Sequence, residues 1–201
     1  ILVSMLFIGL GLGAQTFTAG VPFPLFGLSP DTATPYPNNI SVAGVGLTGP
    51  ITVTLINLTH TWSGDLEILL VGPTGASSIL MSDFSNGRFS NDTVSFRTGG
   101  APLVNVPIGL PIEVSSGNYE VNGGLANEFG GGAPAPAGPY TADLTVFDGT
   151  NADGVWSLYV YDDGINDQGF ISDWSITFPV LSLPIDTTTI VSCDNYITAM
   201  D

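Results

Sequence analysis

Residues 144–178, LTVFDGTNADGVWSLYVYDDGINDQGFISDWSITF, contain the two runs whose reading decides the fold. Trp156-Ser157-Leu158-Tyr159-Val160-Tyr161 and Trp174-Ser175-Ile176-Thr177-Phe178 both have the period of two that sends one face of a strand into a core. Between them, Asp162, Asp163, Asn166 and Asp167 lie in a Gly-punctuated segment that reads as the closure of a hairpin, with Asp173 at the mouth of the returning strand. Carboxylates this close together, with no Lys or Arg beside them, repel one another unless water or a shared cation offsets the charge. The segment therefore reads as a calcium loop as well as a turn.

Outward from this stretch the same alternation recurs. Ile51, Val53 and Leu55 alternate with Thr52 and Thr54. Leu66, Ile68 and Leu70 point one way while Asp65 and Glu67 share the opposite face. Pro73-Thr74-Gly75 supplies a tight turn before a strand from Ser78 to Met81, and Asp83 follows it. Val94 with Phe96, and Ile112 with Val114, suggest two more strands, and the Gly- and Pro-rich segment from Gly117 to Pro139 reads as a long surface loop. The chain has 201 residues, with 26 Gly, 15 Pro, no Lys and two Arg, so strong helix formers are scarce and turn signals frequent. This pattern specifies an all-β sandwich with room for one domain and flanking segments.

Two blocks carry a family resemblance. Asp153-Gly-Val-Trp156-Ser-Leu158-Tyr-Val160-Tyr-Asp162-Asp163, followed by Gly169-Phe-Ile-Ser-Asp-Trp174-Ser-Ile176-Thr-Phe178, resembles the closing half of the P domain of proprotein convertases. That β-sandwich lies C-terminal to subtilisin-like kexin and furin proteases and also occurs on bacterial secreted proteins. Upstream, His60-Thr-Trp62-Ser-Gly64-Asp65-Leu66, running on to Pro73-Thr-Gly75, is similar to the family's other signature. The resemblance spans roughly residues 39–179. It implies a jelly-roll-like, galactose-binding-like sandwich over residues 40–179 that is non-catalytic and supports a protease rather than being one. It also implies bound Ca2+, with Asp65, Asp83, Asp162, Asp163 and Asp167 at the matching positions.

Charge narrows the partners. A formal net charge of −16 leaves too few cations to neutralise phosphates, which makes nucleic acid and anionic membrane surfaces poor partners and favours cations. The same charge would also keep a secreted protein soluble with no ligand at all. Cys193 is the only cysteine, so no internal disulfide can form, and metal and core burial are left as stabilisers. Residues 1–14, ILVSMLFIGLGLGA, read as part of a signal peptide, too short for a comfortable transmembrane span. The Pro- and Phe-rich residues 15–39 read as an extended lead-in docked along the sandwich, and residues 180–201 as a tail or the start of a linker.

His60, the only histidine, has no Gly-x-Ser-x-Gly elbow to serve, so it is expected to make a structural hydrogen bond near a strand edge. A second loop, Asp148-Gly-Thr-Asn151-Ala-Asp153-Gly154, also has calcium-type donors, and neither loop has EF-hand spacing. Trp156 and Trp174 read as core, while Trp62, beside Ser63-Gly64, reads as exposed and available to stack on a ligand. The expected protein is a secreted bacterial module, not an enzyme, stabilised by calcium. It is expected to act through a protein partner or self-assembly. The alternatives are an accessory domain of a subtilisin-like protease and a glycan-binding surface module.

Overall fold

A computed structural model of the chain describes residues 13–25, 31–84, 87–103, 114–123 and 135–179. Most of the expected leader, Ile112 of one expected strand, the middle of the Gly- and Pro-rich loop and the tail from residue 180 lie outside these segments. Among the described residues there is no α-helix, and thirteen strands form two sheets. In chain order they are β1 (Gln15–Thr18), β2 (Phe23–Leu25), β3 (Asp31–Thr32), β4 (Asn38–Val42), β5 (Thr52–His60), β6 (Leu66–Val71) and β7 (Ser77–Ser82). They continue as β8 (Phe89–Ala101), β9 (Gly117–Tyr119), β10 (Asn122–Gly123), β11 (Gly154–Asp162), β12 (Gly169–Ile171) and β13 (Asp173–Phe178).

The first sheet is built around β5. One edge of β5 carries β13 along Thr52–Ile56 and then β12 at Thr59 and His60, and the other carries β8. β1 adds to β13, β2 to β12 and β9 to β8. The second sheet runs β10, β7, β6, β11, with β4 and β3 one after the other along the far edge of β11. The Pro- and Phe-rich lead-in thus supplies three short strands, and Phe23 and Leu25 reach the core.

Alternation decides what faces inward. Val53 and Leu55 of β5, Val94 and Phe96 of β8 and Trp174, Ile176 and Phe178 of β13 meet Leu66, Ile68 and Leu70 of β6 and Trp156, Leu158 and Val160 of β11 in one buried cluster. Trp156 and Phe178, from opposite sheets, pack edge to face with ring centroids 5.6 Å apart. Full burial of each such side chain contributes about 1.5–3 kcal/mol. Trp174 adds a polar tie, its indole N–H donating to Oδ1 of the buried Asn38 across the sandwich at 3.0 Å.

One expectation is corrected here. The two tryptophan-bearing runs do not close a hairpin, because β11 belongs to the second sheet and β13 to the first, so the acidic loop crosses from sheet to sheet. Two strands that each bury one face have the same period whether they pair edge to edge or pack face to face. A parity change in β5 also positions the site below. A bulge between Leu55 and Leu58, with Asn57 at φ 52°, turns Leu58 and His60 inward where unbroken alternation would have turned them out.

Trp174→Phe is expected to cost roughly 1–3 kcal/mol, the penalty for stranding the buried Asn38 acceptor, and Trp174→Ala about 3–5 kcal/mol. Urea unfolding midpoints of these variants and of Asn38→Ala/Trp174→Phe check this, with the double variant losing less than the sum of its singles.

Candidate metal centre

The acidic residues gather where β6, β7 and β11 end, and the structure sorts them into three groups. The first contains a residue the sequence reading had not named as a ligand. Glu67 lies one step into β6, on the face opposite Leu66 and Ile68, in register with Tyr161 of β11, and it is 1 % exposed. Asp83 follows β7 in the left-handed region at φ 49°, and Asp163 follows β11. One carboxylate oxygen from each of Glu67, Asp83 and Asp163 can be chosen so that all three lie within 4.8 Å of one another. The donors are all hard oxygens, which suits calcium and gives zinc none of the nitrogen or sulfur it prefers. The residues present therefore fit the implied Ca2+, with Asp83 and Asp163 from the expected set and Glu67 added.

Asp65 and Asp167 form the second group. Asp65 ends a short 3-10 turn, Ser63–Asp65, and its carbonyl accepts the Asp163 N–H at 2.9 Å. Its carboxyl is pushed up from the ordinary carboxylate range to about 7, first by burial, then by a hydrogen bond with the Asp167 carboxyl and the nearby charges of Asp167, Asp162 and Asp163. Asp167 also accepts from the Thr61 hydroxyl at 2.6 Å. This crowding needs a glycine beside it, since a Cβ on Gly164 would stand 1.8 Å from Asp65 Oδ2.

The third group is a buried pair. Asp162 is the last residue of β11 and points inward, where its Oδ2 lies 3.1 Å from His60 Nε2 with both side chains fully buried. His60 Nδ1 lies 2.7 Å from the Trp62 carbonyl oxygen and 3.3 Å from the Trp62 nitrogen. A carboxylate oxygen only accepts, so Nε2–H donates to Asp162 Oδ2, and Nδ1 faces the backbone of Trp62. Asp162 Oδ1 accepts the Gly164 N–H at 3.0 Å. Both Asp162 oxygens and both ring nitrogens are thus engaged inside the sandwich, and the pair links β5 of one sheet to β11 of the other.

The second calcium-type loop is arranged differently. Asp153 Oδ1 accepts the Val45 N–H at 2.9 Å and the Gly46 N–H at 3.4 Å, and the Val45 bond is the main reason its carboxyl is held below the usual range. Asn151 bonds to the backbone of Asp153 through both its amide nitrogen and its oxygen. These side chains organise their own turns. Trp62 is 38 % exposed at the rim, as expected. Glu67 had left one signal in the sequence, a lone carboxylate within the otherwise apolar run Leu66–Val71.

Asp65 gives a pH dependence with a definite sign. Between its ordinary value of 3.8 and about 7, the folded state holds a proton that the unfolded chain has released, so stability falls as pH rises through that window and levels off above it. Asp65→Asn is expected to remove this part of the slope, as read from thermal midpoints across the window. At the buried pair, His60→Leu is expected to cost about 3–5 kcal/mol by leaving Asp162 without its partner, whereas His60→Leu/Asp162→Leu recovers part of the loss. Urea midpoints distinguish the two variants.

No curated protein matches the chain. Among solved structures it is similar to the Aeromonas sobria serine protease in complex with the chaperone ORF2, at 19 % identity and a TM-score of 0.37, and to the Aeromonas sobria serine protease itself, at 18 % identity and a TM-score of 0.36. Each similarity covers 83 % of this chain, which spans about a quarter (26 %) of the length of those proteins. The family signature described as the proprotein convertase P-domain matches residues 50–100, the stretch that holds β5, β6, β7, most of β8 and the residues His60, Asp65, Glu67 and Asp83. Over those residues, this all-β chain is similar to the proprotein convertase P-domain.

Proposed function

We propose that the protein is a secreted, non-catalytic P-domain-like module, stabilised by calcium and acting by binding another polypeptide. The observation that carries the calcium reading is the meeting of Glu67, Asp83 and Asp163 from three separate segments at the ends of neighbouring strands. When bound there, the ion would tie the end of β7 to that of β11 across β6 and offset the mutual repulsion of the carboxylates.

The P-domain match over residues 50–100 supports an accessory rather than a catalytic role. His60 supports the same reading from geometry, since it is fully buried with both ring nitrogens engaged and has no open face toward a substrate. A place beside a subtilisin-like catalytic domain is the accessory role that the family suggests. A surface that takes up glycans is the second reading, and it rests on the exposed face of Trp62.

Calcium at about a hundred times its dissociation constant is expected to raise the thermal midpoint by roughly 5–10 °C over a chelator-treated sample. Magnesium, smaller and reluctant to give up its water, should do much less. Glu67→Gln should remove most of the calcium response. A midpoint indifferent to chelator in the unaltered protein would remove the metal from this reading.

A further inference from the structure

Among the described residues, six large apolar side chains are exposed, and three of them, Trp62 (38 %), Ile165 (65 %) and Phe170 (42 %), lie on two segments that hydrogen bonds hold together. The Thr61 N–H donates to the Gln168 carbonyl at 3.2 Å, the Gln168 N–H donates to Thr61 Oγ1 at 3.0 Å, and Thr61 Oγ1 donates to Asp167 at 2.6 Å. Phe170 stands in register with Thr59, on the face of the sheet away from the core. Ile165 follows Gly164, which is packed against Asp65. One rim of the sandwich therefore presents an indole, a branched aliphatic and a phenyl group beside the carboxylates of Asp65 and Asp167.

Each side of this arrangement constrains what can cover it. Apolar groups that remain in water on a well-packed sandwich gain from a cover, and the carboxylates among them limit its sign. The chain has 18 acidic residues against two basic ones, so anionic partners are disfavoured at the rim. A glycan could stack on Trp62 but has no positive charge to set against Asp65 and Asp167. A polypeptide segment that alternates Arg or Lys with apolar side chains satisfies both demands.

We propose that the Trp62–Ile165–Phe170 rim docks a basic segment of a partner polypeptide, with its apolar side chains on the three exposed groups and its cations toward Asp65 and Asp167. This rests on the reading of the protein as an interaction module and names the class of segment it takes. Trp62 is the natural reporter, because Trp156 and Trp174 are fully buried and only the indole of Trp62 is open to a bound segment.

The test titrates the protein, in the presence of calcium, with the synthetic hexapeptide Arg-Leu-Arg-Phe-Arg-Leu and follows Trp62 emission and its protection from acrylamide quenching. The acidic counterpart Glu-Leu-Glu-Phe-Glu-Leu and the neutral glycan cellohexaose serve as competing probes. Expected are saturable binding of the basic peptide alone, an affinity that falls as salt rises, and a loss of about thirtyfold in Ile165→Ser/Phe170→Ser, the size of effect an aromatic anchor carries. Asp167→Asn should weaken binding and flatten the salt dependence. The substituted apolar side chains are exposed, so an unchanged melting curve shows that the fold is kept. The proposal is overturned if the acidic peptide binds equally well, if cellohexaose binds instead, or if binding survives Ile165→Ser/Phe170→Ser, which would reduce the attraction to charge alone. Absence of binding by the folded protein also overturns it, and leaves the calcium-stabilised module intact where the calcium shift in melting persists.

Discussion

The contact on which the acidic end of the molecule depends is the buried pair between His60 and Asp162. At the other end the sheets are joined by rings, Trp156 against Phe178 and Phe147 against Trp156, and rings need no exact partner to be stable together. A fully buried imidazole and carboxylate are far less tolerant, because each is costly inside the sandwich without the other. The pair fixes the end of β5 against the end of β11. From there the chain enters the 163–168 loop with its direction set, and Gly164 is drawn in by its N–H to the same carboxylate.

From this anchor the rest of the acidic rim follows. β11 alternates, so if Asp162 points inward, Asp163 must leave on the other side, and that is the side on which Glu67 of β6 lies. The two adjacent aspartates thus have different tasks although the sequence presents them as a matched pair. Closing the loop over Asp65 then buries its carboxyl and forces other carboxylates against it, which is why Asp65 keeps its proton to a pH near 7. A neighbourhood of this kind is stabilised by protonation at low pH or by a cation at neutral pH.

Much of the fold was legible because burial leaves a period. The alternation in Val53 and Leu55, in Leu66 to Leu70 and in Trp156 to Val160 named the inward faces, and all of these residues are in the core. Which strand lies beside which left no such trace, so β11 and β13 read as a hairpin although the sandwich core separates them. The bulge at Asn57 was hidden for a related reason. Asn in the left-handed region is a local backbone choice that a count of apolar residues does not register. At the rim, the abundance of Asp was plain and its division was not. Asp153, Asp162 and Asp163 differ in what their backbone neighbours and cross-strand partners offer, and those neighbours come from segments roughly a hundred residues away, at Val45, His60 and Glu67.

The placement of chemistry at this end also has a topological cause. The body of the sandwich is closed by its own ladders and core, so a polar group there must either pair, as Asn38 does with Trp174, or be excluded. Strand ends escape that rule. Where β5, β6, β7 and β11 run out, the chain can turn carboxylates toward water and leave Trp62, Ile165 and Phe170 uncovered without weakening the core beneath. The rim carries charge and apolar surface together because the buried core below it already supplies the stability that those exposed groups do not. Change at the rim is therefore expected to alter what the molecule binds, and change at the pair to alter whether it folds.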